Sequence, residues 1–368
     1  MTHCIVVGGG IAGMLSARFL AEAGVRVTLF DKGALGQESS WAGGGIVSPL
    51  YPWRYSEAVN QLAVYGQRHY PALIHALIKE THVDAELLHS GLLILDDVEP
   101  EIAPWQQKWQ IPVERIEGAD RLAEIQPGLN PGITAATWMP SVNQLRNPRL
   151  VKALVAALQS NEQVTIKAHQ AITSLLRSGD TIGGVQTETG VLEADYVLVT
   201  AGAWSGDLMA GFHLPKPEIE PVKGQMLLIK ALPGLLSRMV MDHGHYLIPR
   251  KDGLILAGST VERCGYDKSV TTAAADSLYH FATEIIPSLE SFPVVQQWAG
   301  LRPGSIDGLP HIGPLSDAQG LFLNAGHFRN GIVIGLASAR LVVDLILERT
   351  PVVNPVPYLP SNIMETSA

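Results

Sequence analysis

The order of apolar and polar positions at the beginning of the chain predicts a strand, a helix and a second strand. Residues 3–7 form an apolar run, and apolar residues at helical spacing follow over residues 11–23. A second apolar run covers residues 25–30, and Gly24, which separates it from the helix, is typical of the residue that follows a helix end. This order matches the first unit of a parallel α/β sheet.

The rest of the pattern predicts further α/β structure and an antiparallel part. Ser56 is placed to cap an amphipathic helix, and more helices are predicted at residues 147–158, 271–286 and 331–348. Strands are predicted at residues 164–168, 172–177, 182–187, 196–200 and 321–324. Short strands that alternate with turns between residues 221 and 299 indicate an antiparallel sheet. The predicted fold class is α/β plus α+β.

Two discontinuous domains follow from this pattern. We assign residues 1–82, 143–215 and 300–368 to a Rossmann-type domain. Residues 83–142 and 216–299 are assigned to a second domain on a mixed, largely antiparallel sheet. A chain of 368 residues is long enough to form two such units with separate cores.

Composition and charge exclude several classes of protein. The net charge of -9 and a pI near 5.7 argue against nucleic-acid binding, because phosphate contacts require an excess of Lys and Arg. The two cysteines, Cys4 and Cys264, cannot provide a disulfide framework, which favours a reducing compartment and a cytoplasmic protein. No apolar run approaches the roughly 20 residues of a membrane span, so we expect none.

A dinucleotide-binding fingerprint lies between the first strand and the first helix. Gly8, Gly10 and Gly13 have the spacing G-x-G-x-x-G, and Asp31 ends the second strand. The first glycine permits a tight turn, the second lets a pyrophosphate approach the backbone, and the third lets the helix pack against the strand. The helix N-terminus would attract the phosphates, and Asp31 would accept hydrogen bonds from ribose, which disfavours NADP. The fingerprint alone leaves FAD and NAD as alternatives.

Five further segments carry a resemblance to a known family. They read QESSWAGGGIVSPLYPWRY at 37–55, PVKG at 221–224, YLIPRK at 246–251, WAGLRPG at 298–304 and GHFRNGI at 326–332. In their order and spacing, the chain resembles the glycine oxidase branch of the D-amino-acid oxidase and sarcosine oxidase family over nearly all of its length. The resemblance implies a GR2-like FAD-binding domain, with the second domain binding the substrate.

The resemblance also assigns residues to FAD. Ile11, Ala12, Asp31 and Lys32 match positions around its AMP half, and residues 327–333 match the loop over the flavin ring. The helix predicted after Asn330 would stabilise negative charge on a reduced flavin. The expected set is Gly8, Gly10, Ile11, Ala12, Gly13, Asp31, Lys32, Ser39, Ser40, Gly44, Gly45, Ile46, Ile172, Gly202, His327, Phe328, Arg329, Asn330, Gly331, Ile332 and Val333.

Arg302 is the main candidate for substrate binding. It stands between an apolar strand and a Pro-Gly turn, so we expect it in a closed site where its planar fork needs a carboxylate. An internal salt bridge is the alternative. In the resembled family, the matching arginine binds the substrate carboxylate, Tyr246 matches a hydroxyl donor to that group, and the backbone carbonyl at Arg329 matches an acceptor for the substrate amine. The side chain of Arg329 is equally well interpreted as a solvated charge.

The implied reaction is hydride transfer from the carbon beside the amino group of glycine, sarcosine or D-alanine to FAD, with dioxygen as acceptor and peroxide as product. The imino product of glycine would feed thiamine thiazole synthesis, and such enzymes are often homo-oligomers (dimer or tetramer). A D-amino-acid dehydrogenase with a quinone acceptor is the alternative. The oxidase module of a tRNA wobble-uridine enzyme is a weaker alternative.

Two departures from the resembled family affect the chemistry. Relatives that tether the flavin use a C-terminal cysteine, but no cysteine follows Cys264, so we expect non-covalent FAD. The segment 258–262 lacks the lysine that activates oxygen in some relatives, which leaves that group unidentified. His243 and His245 offer no third ligand at metal-site spacing, so no metal is expected. Trp41, Trp53 and Tyr55 suggest a lid that narrows the pocket for small amines, with a role in packing alone as the alternative.

Overall fold

The computed structural model describes residues 1–96 and 98–360. Residue 97 and residues 361–368, which the predicted domains include, lie outside this part. The strands are β1 (His3–Val7), β2 (Arg26–Phe30), β3 (Leu92–Ile94), β4 (Glu114–Glu117), β5 (Ala135–Met139), β6 (Val164–Lys167), β7 (Ile172–Ser178), β8 (Thr181–Thr187), β9 (Gly190–Glu193), β10 (Tyr196–Val199), β11 (Glu220–Lys230), β12 (Met239–Asp242), β13 (His245–Pro249), β14 (Leu254–Gly258), β15 (Val294–Gly304), β16 (His311–Leu315) and β17 (Ala318–Ala325). The α-helices are α1 (Ile11–Glu22), α2 (Ser39–Ala42), α3 (Glu57–Thr81), α4 (Ile102–Trp109), α5 (Ala119–Ile125), α6 (Asn147–Gln159), α7 (Ser205–Gly211), α8 (Thr272–Ile285) and α9 (Gly331–Ile346).

The first sheet has the strand order β6-β2-β1-β10-β17-β8-β7, with β16 paired to β17 and β9 to β8. The neighbours from β6 to β17 run parallel. Every residue of the central strand β1 is buried, because α1, α3, α6 and α9 cover one face and α7 with the strands β7 and β8 covers the other. The carboxyl ends of β1, β2 and β10 therefore meet at one edge, where ligands bind in such sheets.

The second sheet has the order β15-β11-β14-β13-β12-β3-β5-β4. Its neighbours run antiparallel except β12 and β3, which are parallel. The helix α8 and residues of α5 pack on one face of this sheet. The predicted fold class, a Rossmann-type part and a mixed, largely antiparallel part, is confirmed. The domain division stays a prediction, and its boundary between residues 299 and 300 falls within β15.

The predicted helices agree with the observed ones to within two residues at each end, and the Ser56 hydroxyl caps α3 by accepting from the Val59 amide. One expectation was wrong. Pro303 and Gly304 do not form a turn but continue β15. Among the described strands, β15 is an edge strand paired with β11 alone, so the missing N–H of Pro303 can face outward without the loss of a hydrogen bond. Near the end of the described residues, Tyr358 is fully buried and donates to the carbonyl of Ala58.

Among residues 1–96 and 98–360, no helix has both the length and the apolar character needed to cross a bilayer.

Candidate active site

A cavity of about 470 Å³ begins at the carboxyl ends of β1, β2 and β10 and reaches the second sheet. Of the residues predicted to bind cofactor or substrate, those that line it are Gly8, Gly10, Ile11, Ala12, Asp31, Lys32, Ser39, Ser40, Gly44, Gly45, Ile46, Ile172, Gly202, Tyr246, Arg302, His327, Phe328, Arg329, Gly331 and Ile332. The structure therefore brings together segments that lie up to about 320 residues apart in the chain.

The N-terminus of α1 faces one end of this cavity. Its N-cap residue is Gly10, which has no side chain to cap the first turn, so amide N–H groups of that turn stay available to a ligand. The Ser40 hydroxyl accepts from the Ile11 amide at 2.8 Å and fixes the turn from the side. Gly8 has a φ of 112° and its backbone packs against Thr200, which a side chain would prevent. This is an anion site built from backbone groups.

Asp31 holds the glycine turn as well as lining the cavity. Its Oδ2 atom accepts from the Gly9 amide at 2.7 Å and its Oδ1 atom from the Gly33 amide at 2.8 Å. Burial raises the pKa of this carboxyl, and the two amide hydrogen bonds oppose that change. The predicted acceptor for ribose thus has a structural role that the sequence pattern did not indicate.

Three predicted cofactor residues lie behind the cavity wall. Gly13 does not line it; a Cβ there would overlap the Gly8 carbonyl oxygen and lie 2.6 Å from Thr200 Oγ1, so this glycine permits close helix–strand packing. Asn330 is buried at the start of α9, and Val333 packs its carbonyl against Gly66 of α3. Their side chains belong to the scaffold, because in the first turn of α9 only Gly331 and Ile332 reach the cavity.

The start of α9 supplies a second helix N-terminus to the same cavity. No side chain caps this helix, so its first N–H groups and the positive end of its dipole are free to face a negatively charged group. His327, at the preceding corner, is buried, and its Nε2 atom lies 2.8 Å from Ser338 Oγ. Burial, with a smaller effect from His311, lowers the pKa of His327 to about 4, so it is neutral at pH 7.

Sequence reasoning missed several residues of the cavity. Asn324 lines it with both amide atoms buried and without a hydrogen-bond partner in the described part of the chain. Asn147, interpreted only as a helix start, donates to the Ser40 carbonyl at 2.9 Å. Trp204 lies under Lys32, whose Nζ atom is 3.9 Å from the ring centroid, and stacks on Tyr266. A single asparagine or tryptophan carries no spacing signal, so only the folded chain reveals them.

Arg302 is held in the cavity by neutral acceptors. Its Nη2 atom donates to Ser259 Oγ at 2.6 Å, and Nη1 donates to the carbonyls of Thr260 at 3.2 Å and Lys223 at 3.3 Å. No carboxylate among the described side chains, which exclude those of residues 97, 307 and 361–368, forms an ion pair with it, contrary to the internal salt bridge that was the alternative. Burial lowers the pKa of this guanidinium, yet an arginine remains charged at pH 7. A buried cation without a paired anion is a candidate binding site for one.

Tyr246 and Arg329 lie beside Arg302. Among the described residues, the Tyr246 hydroxyl donates to the Met226 sulfur at 3.6 Å, and sulfur is a weak acceptor, so the hydroxyl can turn to a better partner. Arg329 donates through Nη2 to the Gly244 carbonyl at 3.0 Å, and its charge contributes to lowering the pKa of Arg302. The side chain of Arg329 is therefore half-buried at the cavity rather than a solvated charge.

The expected lid of Trp41, Trp53 and Tyr55 is wrong, because none of these side chains lines the cavity. Trp53 is buried against Trp105 and donates through its indole to a carboxylate oxygen of Glu99 at 2.7 Å. Trp53 therefore belongs to a neighbouring core.

His243 has more neighbours than the sequence indicated. Ligand atoms of Asp96, Asp242 and His243 lie within 4.8 Å of one another. Asp96 already accepts from the Tyr51 hydroxyl at 2.8 Å, and His243 is exposed, which gives the group a structural explanation. The absence of a metal stays a prediction.

The burial of His311 predicts a loss of stability in acid. The ring of His311 is buried with both nitrogens unpartnered in the described part of the chain, and burial lowers its pKa from 6.5 to about 4. The unfolded chain binds protons below pH 6.5 while folded His311 does not, so the free energy of unfolding falls between pH 6.5 and 4, by up to about 1.4 kcal/mol per pH unit. The variant His311→Phe is expected to show a smaller fall in the free energy of unfolding between pH 7 and pH 5, as measured by urea unfolding at pH 7, 6 and 5. An equal fall in the wild type and the variant would contradict the prediction.

Comparison with known proteins agrees with this geometry. A family model described as FAD dependent oxidoreductase matches residues 3–345. The chain belongs to this family. It is 48% identical to a glycine oxidase of Pseudomonas putida, over 97% of each chain, and 29% identical to a bifunctional ThiO/ThiG protein of Trichormus variabilis, over 94% of this chain and 52% of that one. The crystal structure of glycine oxidase from Geobacillus kaustophilus superposes with a TM-score of 0.90 at 27% identity, over 98% and 99% of the two chains.

The family resolves the choice between FAD and NAD in favour of FAD, and the cavity fits that cofactor. One helix N-terminus with a glycine turn suits a pyrophosphate, and a second helix N-terminus suits the negative charge of a reduced flavin. The unpartnered amide of Asn324 is an orphan that a ligand with hydroxyl or carbonyl groups would satisfy. The chain is an FAD-dependent oxidoreductase.

Proposed function

We propose that this enzyme oxidises glycine and other small amino acids, such as sarcosine and D-alanine. With glycine, dioxygen and water, the balanced products are glyoxylate, ammonia and hydrogen peroxide. When bound, FAD supplies the acceptor for the hydride. The observation that carries the proposal is Arg302, a buried guanidinium in the cofactor cavity with no carboxylate partner in the described residues.

Arg302 and its neighbours bind different groups of the substrate. Arg302 takes the substrate carboxylate through its two-pronged donor face, and the Tyr246 hydroxyl leaves its sulfur partner to donate to the same group. The carbonyl of Arg329 accepts from the substrate amine. No protein acid or base is assigned to the reaction, since the neutral His327 is engaged by Ser338. The chain's contribution is orientation.

The remaining features of the proposal follow the resemblance. FAD is bound non-covalently by those predicted cofactor residues that line the cavity. The domains divide as assigned from the sequence, and the enzyme is a cytoplasmic homo-oligomer that uses dioxygen. The imino acid formed from glycine is released for thiazole formation in thiamine synthesis, as suggested by the similarity to ThiO/ThiG proteins.

The acceptor and products are tested together in an oxygen electrode. Glycine, sarcosine and D-alanine are each expected to consume dioxygen and yield one peroxide per turnover, with ammonia from glycine. If a quinone-like dye is reduced while no dioxygen is consumed, the oxidase assignment is wrong and a dehydrogenase is indicated.

Gly224 gives a test of the substrate site that leaves Arg302 in place. A Cβ at Gly224 would overlap the guanidinium of Arg302, so Gly224→Ala must displace that group. We expect the KM for glycine to rise at least about tenfold while FAD binding is unchanged. Gly183→Ala is the matched control, because a Cβ there meets no atom within 4 Å. An unchanged KM in Gly224→Ala would show that the position of Arg302 does not govern glycine binding.

A further inference from the structure

A layer of polar residues lies behind Arg302, and Glu262 is at its centre. The Oε1 atom of Glu262 accepts from Thr260 Oγ1 at 2.5 Å and from Gln225 Nε2 at 2.9 Å. Its Oε2 atom lies 3.1 Å from the Nζ atom of Lys223. Glu262 does not line the cavity, so it does not touch a bound substrate or cofactor. The carboxylate instead joins three side chains from two segments of the second sheet.

These segments carry three acceptors of hydrogen bonds from the Arg302 guanidinium. Lys223 and Glu262 are joined by a pair of backbone hydrogen bonds of 2.8 and 2.9 Å. The carbonyl of Lys223 and the carbonyl of Thr260 each accept from Arg302, as does the Ser259 hydroxyl. A shift of residues 259–262 away from β11 would therefore move two of the three acceptors away from the third.

Charge explains why a carboxylate is needed at this place. Lys223 is only 3% exposed, and a buried ammonium group requires an anion. Burial by itself would raise the pKa of Glu262, but the hydrogen bonds from Thr260, Gln225 and Lys223 outweigh it and keep that pKa below its ordinary value. Asp267, at 3.2 Å, also pairs with Lys223, but it is half exposed and does not contact Thr260. Among the described side chains, the carboxylate of Glu262 is the one that contacts both the lysine ammonium group and Thr260 of the segment that holds Arg302.

We propose that Glu262 is a positioning residue that keeps Arg302 directed at the substrate carboxylate. Its carboxylate fastens Thr260 to Lys223 and Gln225, and Ser259 and Thr260 then orient the guanidinium. The inference rests on the proposed function, in which Arg302 binds that carboxylate.

Glu262→Gln in the FAD-loaded enzyme tests this role. Acetate serves as a probe of the carboxylate site, and its binding is followed by the change in the visible flavin spectrum. We expect the dissociation constant of acetate and the KM for glycine to rise by about tenfold, because a charge-assisted contact is lost. The kcat at saturating glycine should stay within about threefold, and FAD affinity should not change, because Glu262 touches neither ligand. A role limited to folding would not separate KM from kcat in this way.

Two further variants make the outcome unambiguous. Thr260→Val keeps the shape of the side chain and removes its hydrogen bond to Glu262, together with the one that its hydroxyl accepts from the Gln225 amide. Because both bonds fasten Thr260 in place, it should weaken acetate binding in the same direction even if Glu262→Gln fails to retain FAD. Asp267→Asn removes the other carboxylate near Lys223 and should leave acetate affinity within about twofold. Acetate affinity near wild type in both Glu262→Gln and Thr260→Val overturns the inference, as does an equally large loss in Asp267→Asn.

Arg302→Met separates this inference from the function on which it rests. If Arg302→Met binds acetate as tightly as the wild type, the proposed function itself is wrong. If Arg302→Met loses acetate binding but Glu262→Gln keeps it, only the role of Glu262 is wrong.

Discussion

Replacement of Arg302 by methionine is expected to lower kcat/KM for glycine by about a thousandfold. Two charge-assisted hydrogen bonds to the substrate carboxylate are lost, and each contributes about 1.5–3 kcal/mol. Methionine is shorter but keeps an unbranched apolar stem, so packing of that stem against β11 changes little. Steady-state kinetics with glycine, together with the flavin content of the purified variant, measure the effect.

Arg302→Lys is the informative companion to this variant. Lysine preserves the charge but not the planar fork, and it cannot donate at once to Ser259, Thr260 and the substrate. We expect roughly a hundredfold loss of kcat/KM. Full activity in Arg302→Lys would mean that only the field of a positive charge is required, and the bidentate arrangement would have to be abandoned.

Gly13→Ala is expected to have the largest effect on the cofactor. The new methyl group would overlap the carbonyl oxygen of Gly8 and crowd Thr200, so α1 must move away from the turn that presents its N–H groups. We expect FAD affinity to fall by roughly a hundredfold and the free energy of unfolding to fall by about 3 kcal/mol. Flavin release on dilution, followed by its fluorescence, and urea unfolding measure the two effects.

The matched control for this glycine is Gly211→Ala in α7, where a Cβ would meet no atom within 4 Å. Its unfolding free energy should change by no more than about 0.5 kcal/mol, and FAD should stay bound. If Gly13→Ala retains FAD as firmly as Gly211→Ala, the close contact between α1 and the glycine turn is not what holds the cofactor.

The cofactor end of the cavity was predictable because its signals are local. Gly8, Gly10 and Gly13 act within one strand–turn–helix unit, so their spacing determines where the helix N-terminus points. The family supports FAD, and the helix at the other end begins at Gly331, where the pattern predicted it. The positions of Gly13, Asn330 and Val333 behind the cavity wall were not predictable to the same degree, because a motif does not distinguish a residue that lines a cavity from one packed behind it.

The substrate end depends on contacts between distant segments. Arg302 was chosen from its own neighbourhood, but its acceptors at Ser259 and Thr260 lie more than 40 residues away in the chain. No local pattern could have indicated that Glu262 stands behind them. The prediction of an aromatic lid was wrong for a related reason. The composition of a loop does not determine whether Trp53 faces a ligand or a neighbouring core.

The central claim is that a buried guanidinium binds the carboxylate of a small amino acid so that the adjacent carbon can be oxidised. Glycine and methylamine, added separately to the holoenzyme under nitrogen, test it most directly, since methylamine has the amine without the carboxylate. The account predicts that glycine bleaches the yellow flavin absorbance and that methylamine at the same concentration leaves it oxidised. Bleaching by methylamine at a comparable rate, or no bleaching by glycine, would contradict it.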